Sequence, residues 1–166
     1  MWKRICAAAL SVGVAAWAAR GQNLISESPA HSLPGSQAVQ YIFPEQVNVT
    51  AGRPTEVALH FRVARGLHIN SHSPREDYLI PTTLSLPANS GARLESASYP
   101  AGEDYVLPLD PKTKLSVYTG DFTIRTRIVA AGGNHLVQAK LHFQACDQRE
   151  CMPPNTITAA IDVIAK

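Results

Sequence analysis

The sequence has few charged residues and, after its first 17 positions, no long apolar run. Charged residues make up 17% of its 166 residues and the formal net charge is +2, so nothing indicates a nucleic acid or another strongly charged partner. No later stretch approaches the roughly 20 apolar residues that a membrane-spanning helix needs. The motifs G-x-S-x-G and H-E-x-x-H and a phosphate-binding loop are missing, which removes support for hydrolase and nucleotide-binding functions.

The single apolar run lies at the N-terminus. Two cations precede an apolar stretch over residues 5–17, which leads into the small residues of an Ala-x-Ala cleavage site, a pattern typical of a secretory signal peptide. We therefore predict a signal peptide over residues 1–19, a flexible Ser-, Pro- and Gly-containing linker over 20–37 and one folded domain over 38–166. The mature protein is expected to be exported and soluble, with no stable membrane insertion.

Alternation of apolar and polar residues dominates the predicted domain. In TEVALHFRVA the apolar residues fall on one side of a strand and the others on the opposite side. The predicted inward faces are Val57, Leu59, Phe61 and Val63; Thr82, Leu84 and Leu86; Phe122, Ile124 and Ile128; and Ile157, Ala159, Ile161 and Val163. Turn residues separate these segments, and no segment shows a helical stripe. The pattern predicts an all-β, immunoglobulin-like β-sandwich, with a small barrel as the alternative.

Cysteine is scarce, since the chain has three. Cys6 would leave with the signal peptide, so Cys146 and Cys151 remain, and in an oxidising compartment two such thiols are expected to pair. Closing a loop of about six residues stabilises a protein by only ~2 kcal/mol on the chain-entropy model. The pair is therefore a weak structural clip on a hairpin end or a redox couple, and its spacing leaves both interpretations open.

The strand before the pair predicts where the cysteines point. In HLVQAKLHFQAC the apolar residues share one parity, and Cys146 shares the other with the polar residues. A regular strand would therefore turn Cys146 outward, whereas a structural cysteine in a sandwich more often points between the sheets. Asp147 and Glu150 flank the thiols and Arg149 is the only nearby cation in the sequence, so nothing obvious lowers a thiol pKa. This environment favours an electron carrier over a strong oxidant.

A copper or zinc site is the next alternative, because His142, Cys146, Cys151 and Met152 lie close in sequence. On a regular strand His142 and Cys146 would share a face but lie about 13 Å apart, at roughly 3.3 Å per residue. One ion does not bind both without a sharp bend. We therefore predict no metal site, and the proposed chemistry requires no bound cofactor.

The segment VYTGDFTIRTRI, followed by LHFQACDQRECMPPNTITAAIDV, resembles the N-terminal periplasmic domain of the thiol:disulfide interchange protein DsbD. The most specific part of this resemblance is C-x4-C-x-P-P at the end of an alternating strand. It implies an immunoglobulin-like fold that carries electrons in the periplasm, from a thioredoxin-like donor fed by a membrane conduit to disulfide isomerases and cytochrome c maturation proteins. It also implies that Cys151 forms mixed disulfides with partners and that Cys146 is the resolving thiol.

The same resemblance implies a cap over the cysteines. The family covers them with a loop that carries an aromatic residue, and the corresponding segment between Gly102 and Tyr118 has no Phe. Tyr105, Leu107 or Leu109 are the candidates to replace it. The family's membrane conduit and thioredoxin-like domain do not occur in this sequence, so they are expected to be separate proteins.

Two further interpretations concern a pair of polar residues and the function of the whole chain. His68 and Asn70 align near positions that line the redox site of the family, where a polar group would orient a partner or transfer a proton; an exposed strand face is the interpretation that we favour. The main alternative for the whole chain is an exported immunoglobulin-like binding or scaffold domain whose disulfide is purely structural.

Overall fold

The computed structural model describes residues 37–43, 45–108 and 110–166. The predicted signal peptide and the predicted linker up to residue 36 lie outside the described residues. The described part contains β-strands and no α-helix, and none of its elements is a helix long and apolar enough to cross a membrane. The strands are β1 (Val39–Tyr41), β2 (Glu45–Val49), β3 (Thr55–Val63), β4 (His68–Asn70), β5 (Thr83–Ser85), β6 (Ala92–Ser98), β7 (Glu103–Leu107), β8 (Asp110–Tyr118), β9 (Asp121–Ala130), β10 (Gly133–Phe143), β11 (Ala145–Cys146) and β12 (Asn155–Ala165).

These strands form three four-stranded sheets. Sheet A has the order β1-β3-β9-β6, sheet B the order β2-β12-β10-β5, and sheet C the order β11-β4-β8-β7. All neighbouring strands pair antiparallel except β2 and β12, which are parallel. The architecture is an immunoglobulin-like β-sandwich, as the sequence predicts.

The hydrophobic core is built from the alternating faces of the long strands. Leu59 and Phe61 of β3, Ile124 of β9, Leu141 of β10 and Ile161 of β12 are all fully buried. On these strands the residues of the opposite parity are exposed or half-buried, and the inward face of β9 includes the buried Thr126, whose hydroxyl donates a hydrogen bond to the carbonyl of Val57 (2.9 Å). Burying one such large apolar side chain contributes about 1.5–3 kcal/mol. The period-2 pattern of the sequence therefore places the core correctly.

Sheet C continues the long strands after short breaks and carries the cysteine pair. β10 ends at Phe143, and the chain resumes after Gln144 as β11, which pairs with β4 instead of a sheet B strand. Between β8 and β9, Gly120 has a φ of +53°, a conformation that favours glycine, and its carbonyl accepts a hydrogen bond from the N–H of Val63 (2.8 Å). These breaks let β4, β8 and β11 pair in a sheet of their own, while Ile69, Tyr118 and Ala145 of that sheet still belong to the hydrophobic core.

Candidate redox site

Cys146 and Cys151 form a disulfide across the base of a short hairpin. Their Cα atoms are 3.9 Å apart and the two residues face each other as an isolated antiparallel pair. The N–H of Met152 donates to the carbonyl of Ala145 (2.8 Å), and the N–H of Asp147 donates to the carbonyl of Glu150 (3.0 Å). Backbone hydrogen bonds therefore define this hairpin on both sides of the disulfide.

The carboxylate of Asp147 organises the hairpin turn. Its Oδ1 accepts hydrogen bonds from the backbone N–H groups of Arg149 (2.7 Å) and Glu150 (2.8 Å), an Asx-type turn that pairs backbone donors locally. These bonds favour the ionised form and hold the pKa of Asp147 below its usual value. Asp147 therefore remains negatively charged beside the cysteines.

The two cysteines differ in exposure. Cys146 is buried, with 3% of its surface exposed, whereas Cys151 is exposed. The prediction that Cys146 looks outward is therefore wrong. Its side chain has the predicted parity and is not part of the main hydrophobic core of the described residues, but other segments of the chain cover that face of the strand.

A cleft of about 410 Å³ lies at the disulfide and shows which segments surround it. The loop between β4 and β5 contributes Tyr78 and Leu79, and the β7–β8 hairpin contributes Leu107 and Leu115. Tyr78 is 77% exposed, so an aromatic ring stands at the rim. Tyr78 and Leu79 were not predicted from the sequence as residues of the site. The apolar triplet YLI within the otherwise polar segment SPREDYLIP is the sequence feature that could have indicated them.

Of the predicted cap residues, Leu107 lines the cleft, and Tyr105 packs its ring against the imidazole of His68 with ring centroids 4.3 Å apart. Leu109 lies outside the described residues. Asp104 of β7 forms ion pairs with Arg75 of the β4–β5 loop and with Lys114 of β8 (3.6 Å). The Asp104–Arg75 pair joins the two segments around the cleft, and both pairs are half-exposed, so each contributes little to stability.

His68 lies directly opposite Cys146 in the antiparallel pairing of β4 with β11. It is buried, with 2% of its surface exposed, and Asn70 is buried at 1%. The interpretation of this segment as an exposed strand face is therefore wrong, because β4 lies inside sheet C between β11 and β8. Burial lowers the pKa of His68, and the nearby charge of Asp147 opposes that shift in part.

Asn70 positions the loop that borders the cleft. Its side-chain amide donates to the backbone carbonyl of Ile80 (3.0 Å), and its backbone carbonyl accepts a hydrogen bond from the hydroxyl of Thr82 (2.6 Å). Both partners belong to the connection between β4 and β5, which carries Tyr78 and Leu79. The role that the structure supports for Asn70 is thus the placement of this loop.

The residues considered for a metal site do not converge. His142 hydrogen-bonds through Nδ1 to the hydroxyl of Thr156 (3.0 Å) on the neighbouring strand, and Met152 packs against the hydrophobic core. Within the part of the chain that the structure describes, no three His, Cys, Asp or Glu side chains come together as metal ligands would. The disulfide and its cleft are the chemistry-bearing feature of this end of the domain.

The sequence that forms this site matches a known protein family. The family described as "Thiol:disulfide interchange protein DsbD, N-terminal" matches residues 32–162, most of the chain and all of the cysteine hairpin. The chain belongs to the DsbD N-terminal domain family. Membership and the Cys146–Cys151 disulfide together assign it a role in thiol-disulfide interchange. The N-terminal domain of DsbD is a periplasmic domain.

The fold is shared with a solved structure of this family. The reduced DsbD N-terminal domain of Neisseria meningitidis has a TM-score of 0.51 and 18% sequence identity, covering 79% of this chain and 90% of that one. The N-terminal periplasmic domain of ScsB from Proteus mirabilis has a TM-score of 0.48 and 12% identity, covering 69% of this chain and 43% of that one. No curated protein sequence is detectably similar to the chain.

Proposed function

We propose that the chain is a periplasmic dithiol/disulfide carrier in which Cys151 exchanges with partner proteins and Cys146 is the resolving thiol. The observation that carries this proposal is the unequal exposure of the disulfide. Cys151 is exposed, whereas Cys146 is buried beside the cleft. Thiol-disulfide exchange requires access to the sulfur that is attacked, so an incoming thiolate reaches the sulfur of Cys151 first.

The exchange proceeds in two steps. Reduction of the carrier begins when a donor thiolate attacks Sγ of Cys151 in the disulfide. The Cys146–Cys151 bond breaks, and its electron pair leaves on Sγ of Cys146. A second donor thiol then attacks the mixed disulfide and releases Cys151 as a thiolate. The domain gains two electrons and two protons, and the donor becomes a disulfide. The same steps in reverse pass the two electrons to an acceptor disulfide.

The surface around Cys151 has features of a protein-binding surface. Tyr78, Leu79 and Leu107 provide apolar contact area around the disulfide, and an exposed aromatic ring is a common anchor of protein interfaces. Family membership supports thioredoxin-like periplasmic proteins as acceptors and a membrane electron conduit of the DsbD type as the source of electrons. The basic and apolar N-terminus supports export by a signal peptide over residues 1–19.

Trapping of mixed disulfides tests the proposal. Cys146→Ser leaves Cys151 free and unresolved, so it is expected to accumulate disulfide-linked complexes with thioredoxin-like proteins when the full chain is expressed in its host. Cys151→Ser is the matched control, because its remaining thiol is buried and is expected to trap little. Equal trapping by both variants, or none by either, would contradict the assigned roles.

The reduction potential distinguishes the alternative of a scaffold domain with a structural disulfide. A carrier is expected between about −180 and −270 mV, the range of thioredoxin-like exchange proteins. A structural bridge is expected below about −300 mV. Equilibration of the purified protein with glutathione or dithiothreitol buffers measures this value directly.

A further inference from the structure

The residue paired with Cys146 carries an inference that rests on the proposed function and extends it. In an antiparallel sheet, residues directly opposite each other place their side chains on the same face, with Cβ atoms about 4.5–5.5 Å apart. His68 and Cys146 are such a pair, and both line the cleft at the disulfide. The imidazole therefore lies beside the buried sulfur.

The imidazole has an unused hydrogen-bonding atom. Nδ1 of His68 is buried and has no hydrogen-bond partner among the described residues, whereas buried polar atoms in native proteins are normally paired. The ring is held in place by Tyr105, stacked at 4.3 Å. A buried ring nitrogen without a partner is unfavourable for a purely structural histidine, and it leaves the imidazole able to take up a proton.

The buried thiol needs such an acceptor. Cys146 must become a thiolate to resolve a mixed disulfide, but burial disfavours the charged form of a side chain. A helix N-terminus, whose backbone N–H groups can stabilise a thiolate, does not occur among the described residues. The strand pairing places His68, a titratable side chain, directly opposite Cys146.

We infer that His68 is the general base that deprotonates Cys146 during the resolving step. The proton of the Cys146 thiol passes to the imidazole of neutral His68, and the thiolate attacks Sγ of Cys151 in the mixed disulfide. The bond between Cys151 and the partner breaks, its electron pair leaves on the partner's sulfur, and the Cys146–Cys151 disulfide forms. In the opposite direction the imidazolium returns its proton to the departing Cys146 thiolate.

The charges around the ring support this assignment. Burial lowers the pKa of His68, so the ring is neutral and able to accept a proton at neutral pH, and Asp147 stabilises the imidazolium that forms. Apart from the cysteines, the titratable groups that border the ring or its cleft are Asp147, Arg149 and Glu150 of the hairpin, Tyr105 and Asp110 of the β7–β8 hairpin, and Tyr78 of the β4–β5 loop. Their acidic groups outnumber the single cation, which favours the imidazolium once it forms.

Reaction of the reduced protein with 5,5'-dithiobis(2-nitrobenzoate) tests the inference. Attack by Cys151 releases one coloured thiolate, and resolution by Cys146 releases a second, so stopped-flow absorbance separates the two steps. In His68→Gln the first phase is expected to keep its rate. The second is expected to slow by about 10- to 100-fold at pH 7 and to recover with rising pH as the thiol ionises unaided. His142→Gln, on the exposed side of β10, is the control and should change neither phase.

The outcomes separate this inference from the proposed function. An unchanged second phase in His68→Gln, or equal slowing of both phases, would overturn the role of His68 while leaving a working carrier. A wild-type protein that releases no second thiolate would overturn the carrier itself. If His68→Gln does not fold, His68→Phe is the second variant, because it keeps a ring against Tyr105 but has no basic nitrogen. Its second phase is expected to slow in the same way, with the first phase unchanged.

Discussion

Reduction of the Cys146–Cys151 disulfide should lower the stability of the domain only modestly. The bond closes a loop with a sequence separation of 5, and the chain-entropy model gives such a loop about 2 kcal/mol at 25 °C. The hairpin is also held by the Asp147 carboxylate and by backbone hydrogen bonds on both sides of the bridge. Cys146 lies outside the main core cluster, so reduction removes a covalent bond and opens no gap in the core.

This free energy converts into a measurable shift in melting temperature. Unfolding entropy is about 2.1 cal/mol/K per residue, so for a domain of roughly 130 residues a loss of ~2 kcal/mol lowers Tm by about 7 °C. Thermal unfolding followed by circular dichroism, with and without a reductant, measures the shift. The double variant Cys146→Ala/Cys151→Ala is the control, since the reductant should not change its Tm.

Loss of the cooperative unfolding transition on reduction, or a fall in Tm of about 20 °C or more, would contradict the modest contribution of the disulfide to stability. Such a result would mean that the hairpin holds the sandwich together, and the disulfide would then be a structural element of a scaffold. A shift near the expected value leaves the domain folded in both redox states. A carrier needs this property, because it passes through the reduced state in every cycle.

Three other perturbations have defined outcomes. The free energy of unfolding should fall as pH drops below about 6.5, the usual pKa of histidine, because burial lowers the pKa of His68 and the unfolded chain then binds a proton that the native chain does not. Urea unfolding between pH 7 and 5 should show a smaller fall in His68→Phe, and identical slopes would contradict the cause. Phe143→Ala should cost about 3–5 kcal/mol in the same assay, because Phe143 is fully buried; a loss below about 1 kcal/mol would refute its place in the core. Tyr78→Ala should change stability by less than about 0.5 kcal/mol but slow exchange with a trapped thioredoxin-like partner about tenfold, while exchange with glutathione stays the same; equal rates with both would contradict a docking role.

Strand positions and core faces could be predicted because they depend on neighbouring residues alone. An inward residue such as Leu59 or Leu141 is recognised by its parity within a segment of ten residues, and the structure buries both. The strand, the cysteine pair and the double proline likewise stand together in one continuous segment. The family and the identity of the sulfurs could therefore be read before any contact was known.

The burial of Cys146 could not be predicted in this way. Parity states which side of a strand a residue occupies, but it does not state what covers that side. The segments around the site are the β4–β5 loop and the β7–β8 hairpin, which lie about 30 to 75 residues earlier in the chain. The same holds for His68, which is buried because sheet C places β4 between β11 and β8.

An all-β domain with a cysteine pair at the end of an alternating strand can be predicted from the sequence, because periodicity and spacing are local properties of the chain. The tertiary structure adds that Cys146 is buried and Cys151 exposed, and that a histidine lies opposite the buried cysteine. Those facts depend on pairing between strands that are far apart in the chain, and such pairing is set by the packing of the whole sandwich.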